Sequence, residues 1–379
     1  MSSVNPTVEA ESHAPDSPIN PVEVVYLFGA GASHGCAAYR RAPREILMKD
    51  LILDIHTQVI SIVEQEFPNN QSIQDVVNKI GEGNDYEQII TFLDESPSDV
   101  HRRFSGVLKD VFEKVLTNRL DYIEDELAEV PNQLYTALLD LHGSDSNPEK
   151  IKGFLTLNYD HYLDDAVRNS SHYRLNLGIE TGSDSGNEEV KLLKLHGSLD
   201  WTDSLPVRID SSGKSLWIPP GIQKNKQRYP FNLIWGQARE LLDCDVIRII
   251  GVNLGANDWD LISLLFSASY GQNERRRPQI EVIDFPSTHS RIQRELPYFE
   301  SSSVLDLPDI APFIVGELGQ SPPIEFESLD SEHQKRVMNN ANGNINWFQL
   351  WLQHKAEYLV RNFGASAIPD GALNDLVGK

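Results

Sequence analysis

The stretch Val22-Glu23-Val24-Val25-Tyr26-Leu27-Phe28, followed directly by Gly29-Ala30-Gly31-Ala32-Ser33, decides the fold. Its first seven residues are mostly apolar and β-branched, long enough for a buried strand and too short for a helix. The small residues after them let the backbone turn sharply into a helix, whose N-terminus offers free N–H groups and a positive dipole end. Strand, glycine-rich turn and helix are the opening of a nucleotide-binding βα unit. The run does not complete GxGxxG, because His34 holds the sixth position and Gly35 comes one residue late. It therefore reads as a phosphate cradle or as a tight strand-to-helix turn without a ligand.

Outward from this point the strand signal recurs at residues 153–157 (GFLTL), ending on Asn158-Tyr159-Asp160, and at 190–195 (VKLLKL), ending on His196-Gly197-Ser198. It returns at 246–250 (VIRII), ending on Gly251-Val252-Asn253, and at 280–283 (IEVI), ending on Asp284. Helical candidates at 162–167, 235–242 and 261–269 alternate with these strands. The alternation predicts an α/β, Rossmann-like, mostly parallel sheet with helices on both faces. In such sheets ligands bind outside the carboxyl ends of the strands, so the clusters GAGAS, NYD, HGS, GVN and Asp284 are expected to converge on one crevice.

Residues 44–142 read mostly helical and are too many for a simple crossover, which predicts a large helical insertion. Its clearest helix is expected to start at Ser96-Pro97, a capping residue followed by proline at the first helical position. Val100, Phe104, Val107, Val111, Val115, Leu116, Leu120, Ile123 and Leu127 then mark one face. Residues 1–21 are rich in Ser, Pro, Asn and Glu and read as a disordered tail. Residues 22–300 read as the nucleotide-binding domain, with loops and short strands over 199–230. Residues 301–379 read as an extension with a closing helix at 346–363. Trp347, Trp351 and Tyr358 share a face of that helix, a core face first and an oligomer contact second.

The chain has 379 residues, 40% hydrophobic and 23% charged, with a formal net charge of −23. Such acidity argues against direct nucleic-acid binding and against an anionic membrane surface. No stretch approaches the roughly 18 apolar residues of a spanning helix. No basic, then apolar leader is visible at the N-terminus, and a cytoplasmic location is expected. Cys36 and Cys244 are the only cysteines, so neither a disulfide framework nor a four-cysteine zinc site can form. No metal is expected. Arg275-Arg276-Arg277, the one compact basic run, reads as a solvated loop.

Two strand ends carry candidate chemistry. Asn158 can orient a water or a sugar hydroxyl, although Asn158 and Asp160 can equally cap the next helix. His196 stands at a strand end beside small residues, and an imidazole titrating near pH 6.5 can serve as base or acid. Cys36 reads as a small packed residue.

Taken in order, GAGAS (Gly29, Ala30, Gly31, Ala32, Ser33), Thr156-x-Asn158-x-Asp160, His196-Gly197-Ser198 and Gly251-Val252-Asn253 resemble the sirtuin family. The resemblance implies that Gly29 to Ser33 bind NAD phosphates and that Asn158 and Asp160 line the nicotinamide-ribose side. It further implies that His196 is the general base, and that Gly251 and Asn253 lie beside the adenosine. Asp284 joins the expected NAD-binding residues by its place at a strand end on the same crevice. The chain departs from the protein-deacylating members. It lacks their CxxC…CxxC zinc ribbon, Leu157 replaces the usual glutamine, and His34 to Arg40 stand where a GIPDFR-like stretch is usual.

A zinc-free domain with a long helical insertion is similar instead to the sirtuin-like NADases of bacterial anti-phage systems, and to the sirtuin-like subunit that partners a HerA-type ATPase. That similarity implies hydrolysis of NAD+ to nicotinamide and ADP-ribose in abortive infection, with NAD+ as substrate. A homo-oligomer is expected, and a HerA-type ATPase partner is implied by the resemblance alone. An NAD-dependent deacylase and a non-catalytic NAD- or ADP-ribose-binding scaffold remain the alternatives.

Overall fold

A computed structural model of the chain describes residues 20–39, 47–127, 132–179, 188–202, 208–209, 215–221, 226–255, 257–268, 277–284, 286–299, 301–303 and 346–369. The opening stretch forms β1 (Val22–Phe28), and α1 (Ala30–Tyr39) begins after the single residue Gly29. The insertion follows as α2 (Met48–Glu66), α3 (Gln71–Gly81), α4 (Tyr86–Asp94), α5 (Asp99–Leu127) and α6 (Gln133–Leu141). Next come β2 (Glu149–Thr156), α7 (Tyr162–Asn169), β3 (Tyr173–Asn176), β4 (Glu188–Lys194), β5 (Gly197–Thr202), β6 (Arg208–Ile209) and β7 (Ser215–Trp217). The remainder is α8 (Phe231–Leu241), β8 (Val246–Ile250), α9 (Trp259–Ala268), β9 (Gln279–Ile283), α10 (Pro286–Glu295), β10 (Ser301–Ser303) and α11 (Trp347–Phe363).

Seven strands form one sheet in the order β10-β9-β8-β1-β2-β4-β3, and every pairing in it is parallel. β6-β5-β7 form a small antiparallel sheet. The first strand is therefore central. The chain builds outward from it through β2, β4 and β3, then returns to build the other side from β8, which makes β1 the switch point of an α/β sheet.

Val24 to Phe28 are wholly buried because helices cover both faces of the sheet. On one face Tyr26 and Phe28 pack against Phe154, against Tyr135 of α6, and against Phe348 and Trp351 of α11. On the other, Leu241 of α8 lies over Gly153, and the Trp235 indole N–H donates to the Leu195 carbonyl at 3.0 Å. Adjacent residues of a strand point to opposite faces, which is why Gly153 lies under α8 while Phe154 joins the Tyr26 and Phe28 rings on the other face.

Several boundaries differ from those expected. The long insertion helix starts at Asp99, not at Ser96-Pro97. The Ser96 hydroxyl instead accepts from the Ser98 N–H at 3.2 Å, forming a turn that leads into the helix. Val100 is exposed, outside the buried face. Tyr358 is 45% exposed while Trp347 and Trp351 are buried, because Lys355, not Tyr358, reaches the sheet. β3 and β10 carry too few apolar residues to be seen in the sequence, as edge strands often do. β2 begins at Glu149, four residues before its apolar run, because its first side chain is an ion-pair partner and not core. Residues 1–19 of the expected tail, and Arg275 and Arg276, lie outside the described residues.

Glu149 belongs to a buried ionic cluster under α11. Arg248, in the middle of β8, donates from Nη1 and Nη2 to the two Glu149 carboxylate oxygens at 2.6 and 2.7 Å. Its Nε bonds Glu281 of β9, and Nη1 also reaches the Tyr26 hydroxyl at 2.9 Å. Lys355 of α11 closes on Glu149 at 2.6 Å. The guanidinium lies 5.4 Å from the Trp351 ring centre. Buried charges survive only when paired, so this cluster fixes α11 across β1, β2, β8 and β9. Its cations hold the Glu149 carboxyl well below the usual range against the opposing effect of burial. His142, hydrogen-bonded to the Tyr26 hydroxyl at 2.7 Å, is pushed down to about 4 by burial.

Glu149→Gln removes the shared anion and is expected to lower stability by about 3 kcal/mol in urea unfolding. The pH dependence follows from His142. Unfolded imidazole binds a proton near pH 6.5, whereas the folded one waits until about 4. Its contribution is complete above pH 6.5 and is lost as pH falls toward 4. The melting temperature is expected to decline across that window, and to decline less in His142→Gln.

Candidate active site

The strand register gathers the expected clusters. Phe28 pairs with Thr156 on one side and Ile250 on the other. Thr156 pairs with Lys194, and Ile250 with Ile283. The last residues of five strands thus lie in one row, Lys194–Thr156–Phe28–Ile250–Ile283. The segments that follow are His196, Asn158, Gly29 to Ser33, Gly251 and Asp284. The ladder runs on past the ends: Leu195 N–H donates to Thr156 O, Leu157 N–H to Phe28 O and Gly29 N–H to Ile250 O, at 2.9 to 3.0 Å. Spaced about 4.8 Å apart, five strands make a rim about 19 Å long.

At the centre of the row three glycines interlock. Gly31 N–H donates to Gly251 O at 3.1 Å. A Cβ on Gly29 would sit 2.5 Å from Gly251 O, and one on Gly31 2.8 Å from Gly251 Cα. A Cβ on Gly251, whose φ is +65°, would sit 2.2 Å from Ala32 N. Close backbone contact between the β1–α1 turn and the β8 end is thus a physical reason for these glycines besides any ligand. Ala30, the first residue of α1, remains exposed at the rim.

Asn158 bridges β2 to that turn. Its backbone N–H donates to Thr156 Oγ1 at 3.1 Å. Its Nδ2 donates to Gly29 O at 3.0 Å and to Ser33 Oγ at 2.9 Å. The residue is 7% exposed, and its Oδ1 is buried without a hydrogen-bond partner. A carbonyl can only accept, so Gly29 O fixes which end of the amide faces the turn. The orphaned Oδ1 is the opposite end. Ser33 is fully buried and also bonds the Tyr135 hydroxyl at 3.0 Å. Its hydroxyl is thus engaged within the protein.

Asp160 lies beneath this layer. Its carboxylate accepts from the Tyr162 N–H at 3.2 Å, at the start of α7. The helix-capping reading of Asp160 is therefore realised. Burial raises its pKa, and Lys194 opposes the rise. Lys194 is itself fully buried, donating to the Asp160 carbonyl and to Asp164 Oδ2 at 3.0 Å. Cys36 is buried beside the same carboxylate, and burial pushes its thiol up.

His196 follows β4 and is 6% exposed. Its ring lies over Tyr159 at 6.1 Å and 30°, and its carbonyl accepts from Ile218 N–H at 2.8 Å. Tyr159 in turn contacts Trp217 of β7 and Phe112 of α5. Phe112 and Trp217 stack at 5.7 Å, and the Trp217 indole donates to Glu113 at 3.0 Å. Asn257, in the loop after β8, donates to Asp85 at the head of α4 at 2.9 Å. The helical insertion is thereby braced against both the histidine side and the β8 side of the rim.

The structure brings together Gly29, Ala30, Gly31, Ala32, Ser33, Asn158, Asp160 and Gly251, with His196 one strand away. Asn253 stands further out, exposed, with its Oδ1 held by Arg291 of α10. Asp284 is half-buried two strands from β1. Tyr135 and the Arg248 cluster were not singled out from sequence. An arginine inside the otherwise apolar VIRII could have signalled buried partners; Tyr135, inside an ordinary helical pattern, gives no such signal. Among the described residues, no group of three or more His, Cys, Asp or Glu is placed to hold a metal ion, and no helix is long and apolar enough to cross a membrane.

Comparison with known proteins adds the following. Residues 152–304, under half of the chain, match the family profile described as a SIR2-like domain. The match begins inside β2, so β1, the GAGAS turn and the insertion precede it. No curated protein matches the chain. One similar solved structure, described as "Structural Basis for the Mechanism and Regulation of Sir2 Enzymes", has 14% identity and a TM-score of 0.35, covering 75% of this chain and 87% of that one. A second, a Sir2 homologue with a serine-to-alanine substitution in complex with ADP-ribose, has 16% identity and a TM-score of 0.34, covering 85% and 94%.

The glycine interlock can be tested against an isolated control. Gly83 also has positive φ, but a Cβ there meets nothing within 4 Å. Gly83→Ala is expected to cost about 1 kcal/mol of backbone strain. Gly251→Ala adds a backbone collision and is expected to cost more than about 3 kcal/mol, measured by urea unfolding of both variants.

Proposed function

We propose that the chain is an NAD+ glycohydrolase that cleaves the bond between nicotinamide and ribose. The observation that carries this reading is the buried, partnerless Oδ1 of Asn158, held at the switch point of a parallel sheet one strand from His196. A buried acceptor left unpaired costs free energy of about 1–3 kcal/mol unless a ligand or water supplies its donor. A ribose hydroxyl or the attacking water fits that need. The SIR2-like match supports NAD-dependent chemistry of the sirtuin kind.

In the proposed reaction the C1′–N bond breaks with its electron pair leaving on the ring nitrogen, so a cationic pyridinium departs as neutral nicotinamide. No acid is needed on the leaving group. The transition state is oxocarbenium-like. A water oxygen bonds C1′ as its proton passes to His196 and then to solvent, giving ADP-ribose and one proton. Asn158 Oδ1 orients the water or a ribose hydroxyl. Gly29 to Gly31 and the head of α1 face the phosphates with backbone N–H groups and the helix dipole, while Gly251, Asn253 and Asp284 serve the adenosine side. Asp160 supports the ribose side.

The same reading makes the chain an NAD-depleting effector of anti-phage defence, in a homo-oligomer partnered by a HerA-type ATPase. Its support is the motif order and the lack of the four cysteines that protein-deacylating sirtuins use.

Nicotinamide release from NAD+ by the purified chain, without any acylated peptide, is expected, alone or with the ATPase present. Asn158→Ala and His196→Ala are each expected to lose about 100-fold or more in kcat. Release that requires an acylated peptide would replace this reading with deacylation, and NAD+ binding without release in either setting would leave a binding scaffold.

A further inference from the structure

Resting on that reading of the site, we infer that Tyr135, supplied by the last helix of the insertion, is a positioning residue that keeps the Asn158 carbonyl turned toward the ligand. Tyr135 is 1% exposed, and its ring is fixed edge-on to Phe28 at 5.1 Å and against Phe348 at 5.6 Å. Its hydroxyl lies 3.0 Å from Ser33 Oγ, and the Asn158 amide is also in reach of it.

A serine hydroxyl has one hydrogen to give and two lone pairs to accept with. Ser33 Oγ accepts from Asn158 Nδ2 at 2.9 Å and shares a second hydrogen bond with the Tyr135 hydroxyl at 3.0 Å, in which either oxygen can donate. Whichever gives the hydrogen, that bond fixes where the serine hydroxyl points. Tyr135 thus holds Ser33 in the orientation that leaves a lone pair for Asn158 Nδ2. With Gly29 O as the other acceptor, both Nδ2 hydrogens of Asn158 are used on the turn, and Oδ1 is left without a hydrogen-bond partner. α6 packs against α7, α11 and α1, and Tyr135 carries it to the Asn158 side of the rim.

Tyr135→Phe keeps the ring and removes only the hydroxyl. Freed of it, the Ser33 hydroxyl can rotate, and the grip on Nδ2 loosens. The test is a double-mutant cycle with Asn158→Ala in the full chain, read on ADP-ribose affinity by calorimetry, with nicotinamide release followed in parallel. Tyr135→Phe is expected to weaken ADP-ribose about fivefold in the Asn158 background, the weight of one hydrogen bond. In the Asn158→Ala background it is expected to have no further effect. Ser33→Thr, which keeps a hydroxyl, is expected to show the same dependence on Tyr135.

Equal losses in both backgrounds, no loss in either, or no ADP-ribose binding by the unaltered chain would overturn the inference. ADP-ribose binding with the coupling intact, in a chain that never releases nicotinamide, would remove the hydrolase reading and leave the positioning role standing.

Discussion

The amide of Asn158 is the joint on which the site depends. Its two Nδ2 hydrogens tie the end of β2 to the β1–α1 turn, one on a backbone carbonyl and one on a serine. That tie is available only because the parallel register ends β1 and β2 at the same level. The same geometry leaves Oδ1 buried and unpaired, a polar group that the fold itself does not satisfy. Natural interiors pair nearly all such groups, and the exceptions concentrate where a ligand completes the set. Structure and chemistry thus meet at one oxygen atom.

The two ends of the sheet divide the work. At the carboxyl ends, glycines press backbone against backbone, and a fully buried Lys194–Asp164 pair lies under the Asp160 carbonyl. On the face under α11, Arg248, Glu149, Glu281 and Lys355 hold four strands and the closing helix in one ionic cluster. That cluster lets α11, Trp347 to Phe363, join the core made by β1. His142, bonded to the Tyr26 hydroxyl beside that cluster, carries the acid sensitivity of the fold, whereas the candidate site is organised by the hydrogen bonds of Asn158.

Much of this was legible in the sequence, and the rest was not for physical reasons. β1 and β8 could be read to the residue because buried parallel strands are unbroken apolar runs. β2 could be read only from Gly153, because Glu149 and Lys152 use their charges in ion pairs that no periodicity reveals. The convergence of Asn158, His196, Gly29 and Gly251 followed from the rule that strand ends face one crevice. Tyr135 was invisible because its role depends on a helix that the insertion delivers from outside the sheet. Ser33, read as a phosphate contact, has its hydroxyl bonded to Asn158 and Tyr135, partners that no sequence pattern announces.

The most direct test of the central claim is a crystal structure of the chain with ADP-ribose. The account predicts a ribose hydroxyl or an ordered water about 2.6–3.2 Å from Asn158 Oδ1, with the pyrophosphate at the head of α1. ADP-ribose bound elsewhere, or bound in the crevice with Oδ1 still unpartnered, would contradict it.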